Sequence, residues 1–143
     1  MSTLDYHIHT IVSTDADYTP AEIIAMAKQN GVKTLAITDH NNVASIAEAM
    51  QLGAQNGIRV IPGIEIDCEF EGVGLHMTAY QIDYTDPRYD ALFHYYYDQS
   101  VENTWKAKHQ FCEAMHLDLP DASLKSIAKD NILVPEDIGA YLL

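Results

Sequence analysis

The chain has 143 residues, with 21 acidic side chains against 8 basic ones, a formal net charge of −13 with its seven histidines neutral. That is one domain's worth of chain, and 48% hydrophobic with 20% charged residues supplies a core and excludes a disordered acidic tail. The charge balance also excludes an electrostatic footprint for extended nucleic acid, which needs clustered Lys and Arg, whereas the only arginines are Arg59 and Arg88.

In chain order, Leu4 to His9 alternates Leu4, Tyr6 and Ile8 with Asp5, His7 and His9, a strand period that puts both histidines on one face. Thr19-Pro20-Ala21-Glu22 opens a helix, with Thr19 as N-cap and Pro20 at the first helical position. Ile23, Ile24, Met26 and Ala27 form its apolar stripe, and Asn30-Gly31 ends it. Val32 to Thr38 reads as a buried strand, and Val43 to Asn56 as a helix closed by Gly57. Ile58 to Ile66 is strand-like, bent or ended by Pro62-Gly63, and Leu75 to Ile82 is a fourth strand. This alternation predicts a parallel α/β sheet with right-handed crossovers. After Tyr84-Thr85-Asp86-Pro87 the pattern changes to a long helix, Arg88 to His116, with Tyr95, Tyr96, Tyr97, Trp105 and Phe111 expected to pack. Pro120 opens a short helix to about Lys129, and Pro135 opens another. The chain thus divides at 1–83, α/β, and 84–143, helical.

Cys68 and Cys112 lie far apart and form no CxxC pair, so the sequence suggests neither a disulfide framework nor a thiolate zinc knuckle, and a reduced, intracellular protein is expected. Met1-Ser2-Thr3-Leu4-Asp5 is no basic-then-apolar leader, and no run approaches the ~18 apolar residues of a membrane span. The expected location is cytoplasmic, with no membrane partner.

Five short motifs concentrate imidazoles and carboxylates: Asp5-Tyr6-His7-Ile8-His9, Ser13-Thr14-Asp15, Thr38-Asp39-His40, Pro62-Gly63-Ile64-Glu65 and Gly74-Leu75-His76. The first four fall at or just after the C-terminal ends of the predicted strands, where loops of a parallel sheet converge on ligands. The fifth opens its strand, which suits a strand running the other way or one that bends back toward the site. His7 and His9, at i and i+2, can bind one cation together; Asp15 and His40 can serve a second, and Glu65 has two oxygens with which to bridge. Mixed imidazole and carboxylate ligands suit Zn, Mn or Fe better than Mg or Ca. Each motif alone has a plainer reading. An HxH pair is often structural, Asp39 or Asn41 could cap the Val43 helix, Asp15 could be solvated, and Pro62-Gly63 could be a simple turn. Glu65 and His76, in apolar strands, need partners. The conjunction favours a metal centre.

The order Asp5-Tyr6-His7-Ile8-His9-Thr10, Ser13-Thr14-Asp15 with Thr19-Pro20, Thr38-Asp39-His40, Pro62-Gly63-Ile64-Glu65 and His76 resembles the N-terminal half of the PHP (polymerase and histidinol phosphatase) superfamily over about the first 83 residues. The resemblance implies part of a distorted (β/α)7, TIM-like barrel with a helical appendage of the small-phosphoesterase branch. It also implies hydrolysis of phosphoesters with two or three divalent metal ions. Carried over, His7, His9 and Glu65 would bind one ion, Glu65 would bridge to a second also bound by His76, and Asp15 and His40 would hold a third. Asp17 is the alternative to Asp15, because the loop is one residue longer than the common form. Asp5 would orient a ligand imidazole through its other nitrogen, with Asp39 also standing behind the ligands. The family's later ligands, a His and a DxH, have no counterpart in these residues, and Asp137 stands where a related helix start usually carries His.

The expected function is metal-dependent hydrolysis of a small phosphorylated metabolite or nucleotide. One alternative is a 5'-end oligonucleotide exonuclease of the same family, and another is a non-catalytic metal-binding or interaction module. A homo-oligomer would complete the barrel by covering its open strand edges.

Overall fold

The computed structural model describes residues 3–143; Met1 and Ser2, part of the stretch read above for a leader, lie outside the described residues. The chain forms two compact units, Met1–Phe93 and His94–Leu143. The first carries the site. Its strands are β1 (Leu4–Ile8), β2 (Thr34–Ile37), β3 (Arg59–Phe70) and β4 (Val73–Tyr80), in the spatial order β1-β2-β3-β4. β1, β2 and β3 are parallel, and β4 is antiparallel to β3.

Helices α1 (Pro20–Gln29) and α2 (Ile46–Asn56) link the parallel strands. The start of α1 is the one read from sequence: Thr19 and Glu22 form a reciprocal capping box ahead of Pro20, satisfying two otherwise orphaned N–H groups. α2 begins at Ile46 rather than Val43 and ends on Gly57 in the left-handed region at φ 69°. Ile23, Ile24 and Ala27 of α1 and Ile46 and Ala49 of α2 pack on Leu35, Ile37, Ile58 and Val60 to make the core. Gly53 lets α2 lie close to β3, since a Cβ there would stand 2.8 Å from the Ile58 carbonyl oxygen.

The expectation that Pro62-Gly63 bends or ends its strand is corrected: β3 runs twelve residues through it. What changes there is the partner. Up to Pro62 the strand pairs with β2, and from Gly63 onward with β4. Gly63 sits where β3, β4 and the end of β2 converge; a Cβ would meet the Ala79 carbonyl oxygen and Thr38 Cγ2, both at 2.9 Å.

The sheet is curled into part of a barrel. Tyr80 on β4 donates a hydrogen bond to the Tyr6 carbonyl on β1 at 2.9 Å, although these strands are the two edges. In a flat sheet three strand spacings would separate them by about 14 Å, beyond the reach of a tyrosine side chain.

The second unit is helical. α3 (Arg88–Met115) begins in the first unit and continues into it, followed by α4 (Asp121–Lys125) and α5 (Pro135–Leu142). α4 stops short of the expected Lys129 because only about one turn forms before an isolated bridge between Lys129 and Ile132. Leu119, Leu124 and Leu133 form a small core here, with Trp105 and Cys112 against it. The expectation that the α3 aromatics all pack is corrected for Tyr95 and Phe111, which are exposed, because this short unit has only a narrow apolar stripe to offer. Asp137 accepts a hydrogen bond from the Val134 N–H at 3.0 Å, tying down the start of α5. Cys68 and Cys112 are free thiols. No helix among the described residues is long and apolar enough to cross a membrane.

Candidate metal centre

Five segments, strands β1, β3 and β4 with the loops after β1 and β2, deliver the predicted ligands to one place. His7 lies on β1 and His9 just past its end, while a register shift between Asp5 and Ile8 disturbs the strict alternation. Both rings nevertheless converge. His7 Nε2 lies 2.7 Å and His9 Nε2 3.0 Å from Glu65 Oε2, and the two nitrogens are 2.8 Å apart. Three lone-pair atoms thus crowd one point, and only one proton can sit between the two nitrogens.

Asp15 is carried by the loop after β1, which is closed by main-chain hydrogen bonds from Ile11 N to Tyr18 O at 2.8 Å and from Ser13 N to Thr10 O at 2.9 Å. Its carboxylate stands 3.4 Å from His9 Nδ1 and 3.5 Å from His40 Nε2. Asp17 belongs to none of the ligand groups that converge among the described residues. His40 is brought beside Glu65 because the loop after β2 keeps pairing with β3. Glu65 N donates to Asp39 O at 3.1 Å and Asn41 N to Glu65 O at 2.8 Å. Asn41 turns the chain there in the left-handed region, at φ 51°. His76 arrives from β4, directly opposite Asp67 in the antiparallel register, with Nδ1 3.1 Å from Glu65 Oε1.

Glu65 is the hub, its side chain only 5% exposed. Burial alone would push its carboxyl up; the hydrogen bond from His7 and the charges of His40, His7 and His9 outweigh that and hold it below its ordinary range. His40 is raised above its ordinary value, first by its hydrogen bond to Asp67 and then, against burial, by the charges of Asp67, Asp15 and Glu65.

Two expectations are corrected. Asp39 does not cap α2. It is fully buried and gathers hydrogen bonds from Thr10 N at 2.5 Å, Thr10 Oγ1 at 2.9 Å, Ser13 Oγ at 3.2 Å and the Ser45 hydroxyl. Ser13 Oγ in turn accepts the His40 N–H at 2.8 Å and lies 3.4 Å from His9 Nδ1, so Asp39 ties the ligand loops together. Asp5 accepts from the main-chain N–H of His7 at 3.3 Å, not from an imidazole, because its carboxylate folds back along its own strand.

One residue was missed. Asp67 Oδ1 lies 2.8 Å from His40 Nδ1 and 3.6 Å from His76 Nε2. Its signal was the i, i+2 relation to Glu65 on β3, the same relation used for His7 and His9. In all, His7, His9 and Glu65; His9, Asp15 and His40; and His40, Asp67 and His76 each place ligand atoms within 4.8 Å of one another. Four imidazoles and three carboxylates in so small a volume suit borderline divalent cations.

The class this defines is an incomplete α/β barrel with an imidazole–carboxylate centre at the strand ends. The chain belongs to the PHP domain family, whose sequence profile matches residues 5–132. It is 38% identical over 88 residues to a 5'-3' exoribonuclease of Haemophilus influenzae, a match covering 62% of this chain and 32% of that protein. It is 32% identical over 87 residues to a 3',5'-nucleoside bisphosphate phosphatase of Chromobacterium violaceum, covering 61% and 30%. The structure of an amidohydrolase from Chromobacterium violaceum, with bound sulfate and no metal, superposes with a TM-score of 0.80 at 23% identity. That likeness covers 99% of this chain and 49% of the other, and it shows the partial PHP barrel fold. The matched segment therefore spans about a third of the two curated relatives.

Proposed function

We propose that this chain carries the metal-binding part of a phosphoesterase that hydrolyses a small phosphorylated metabolite or nucleotide. The observation that carries this reading is the convergence of four histidines, Asp15 and Asp67 on the buried Glu65, from five segments of the chain. His7, His9 and Glu65 would hold one divalent cation, of zinc, manganese or iron type. Glu65 with His76 would hold a second, and Asp15 with His40 a third. Asp15 is preferred to Asp17 because only Asp15 stands within 3.5 Å of both flanking imidazoles. Cations held by these residues would supply a water of lowered pKa and positive charge to offset the phosphoryl oxygens.

The chain's own residues prepare that chemistry. Glu65 keeps its carboxylate charged within a cage of imidazoles, and Asp39 and Ser13 hold the His9 and His40 loops in register. Arg88 is held by Asp86 at 2.6 Å, an exposed pair in which the guanidinium lowers the Asp86 carboxyl to about 2.

The acidic balance favours a small phosphoester over a long polynucleotide. A 5'-end oligonucleotide exonuclease is the second reading, favoured by the 38% identity to the exoribonuclease. The purified chain loaded with zinc, manganese or iron would be assayed on a nucleoside 3',5'-bisphosphate and on a 5'-phosphorylated oligoribonucleotide. Phosphate release from the first, abolished in His7→Ala and Glu65→Ala, supports the leading reading, and mononucleotide release from the second supports the exonuclease. A metal-loaded chain inactive on both refutes each and leaves a binding module. Such a module would sit in a cytoplasmic protein whose strand edges, exposing Leu4, Tyr6, Val73 and Met77, are covered by a second copy. Light scattering that finds only monomer refutes the homo-oligomer.

A further inference from the structure

Like His9 and His76, His40 has a carboxylate at each ring nitrogen, and it holds the shortest of these contacts: Asp67 stands 2.8 Å from Nδ1, while Asp15 is 3.5 Å from Nε2. A neutral imidazole has one N–H and one lone pair, and the closer acceptor takes the proton. Asp67 is itself held on its other side. Asn41 Nδ2 donates to Asp67 Oδ2 at 2.8 Å, and the Asp67 N–H donates to Asn41 Oδ1 at 3.0 Å, a reciprocal pair that sets the carboxylate plane. Neither bond involves a predicted ligand.

We propose that Asp67, braced by Asn41, is a positioning residue that holds the His40 ring with Nδ1–H toward its own Oδ1 and thereby presents Nε2 to the cation shared with Asp15. This rests on the metal-centre reading above. A carboxylate behind a ligand imidazole fixes ring orientation and raises the basicity of the other nitrogen, and losing it costs about 10–100-fold in metal affinity. Asp67 would therefore shape the centre without occupying a coordination position.

The experiment uses Asp67→Ala, Asp67→Asn and Asn41→Ala, measured by zinc content at saturation, zinc affinity by chelator competition, and ¹⁵N NMR of the imidazoles in zinc-free protein at a pH where the rings are neutral. Expected are an unchanged zinc count, an affinity lowered about 10–100-fold in Asp67→Ala with most of it restored in Asp67→Asn, whose amide oxygen still accepts, and a smaller loss in Asn41→Ala. The His40 signal should show protonated Nδ1 in the wild type and mixed tautomers in Asp67→Ala. A zinc count that falls by one in both Asp67 variants overturns the proposal by making Asp67 a ligand. Unchanged affinity and tautomer overturn it outright. A wild type that binds no zinc refutes the metal-centre reading instead, while the tautomer measurement still decides the role of Asp67.

Discussion

Replacing Asp39 by alanine is the sharpest test of how the centre is built. Its carboxylate accepts four hydrogen bonds in a fully buried position, one from a main-chain N–H and three from hydroxyls. The Ser13 and Ser45 hydroxyls can rotate toward other acceptors, but the Thr10 N–H cannot, and Thr10 is itself 0% exposed. Leaving that N–H and one hydroxyl unpaired costs roughly 1–3 kcal/mol each, with the lost charge-assisted bonds added, so about 3–5 kcal/mol is expected. Against a total of about 5–15 kcal/mol that is a large fraction. Asp39→Asn should cost only about 1–2 kcal/mol, since its oxygen can keep Thr10 N while its amide donates to hydroxyls turned to accept. Urea unfolding followed by far-UV circular dichroism measures both. The fluorescence of Trp105, the sole tryptophan, reports the His94–Leu143 unit instead. An Asp39→Ala protein within about 0.5 kcal/mol of wild type, or an Asn variant as damaged as the Ala one, would show that Asp39 does not organise these loops.

Glu65→Gln keeps the shape but removes the charge at the hub, so metal content measured by elemental analysis should drop by at least one ion per chain; full retention would sink the bridging role. Gly63→Ala should destabilise by about 1–3 kcal/mol in urea, because the new methyl meets main-chain oxygens that the sheet cannot move aside; a neutral effect would contradict the change of partner at that residue. Metal-free protein should be most stable between roughly pH 4.5 and 6.5 in thermal melts. His40, raised above its ordinary 6.5, contributes stability that is complete below that value and lost as pH rises through its folded pKa. Glu65 and Asp67, lowered from 4.5 and 3.8, contribute stability that is lost as pH falls through their depressed values. Zinc should extend the stable range to higher pH by replacing the proton on the imidazoles, and melts that keep rising past neutral pH without metal would refute this balance.

Much of the molecule is legible in the amino-acid order alone, and the legible features are those set by short-range physics. Thr19-Pro20 with Glu22 opens a helix because the capping groups lie within one turn. His7 and His9 can serve one centre because two residues are one pleat apart. His76 was expected to open a strand running the other way or bending back toward the site; β4 is antiparallel, with His76 inside it. Pairing and burial decided the rest. Pro62-Gly63 carries a turn signal, yet β3 continues through it because two neighbouring strands hold the chain extended. Asp39 carries a capping signal, yet its carboxylate faces inward, where Thr10, Ser13 and Ser45 outnumber the single N–H a cap would satisfy. Asp67 reads as one more strand residue until the β2 loop lies beside β3 and puts His40 against it. Sequence spacing determined which residues could share a face. Only the curl of the sheet decided which faces meet, because that depends on strand pairing between segments dozens of residues apart.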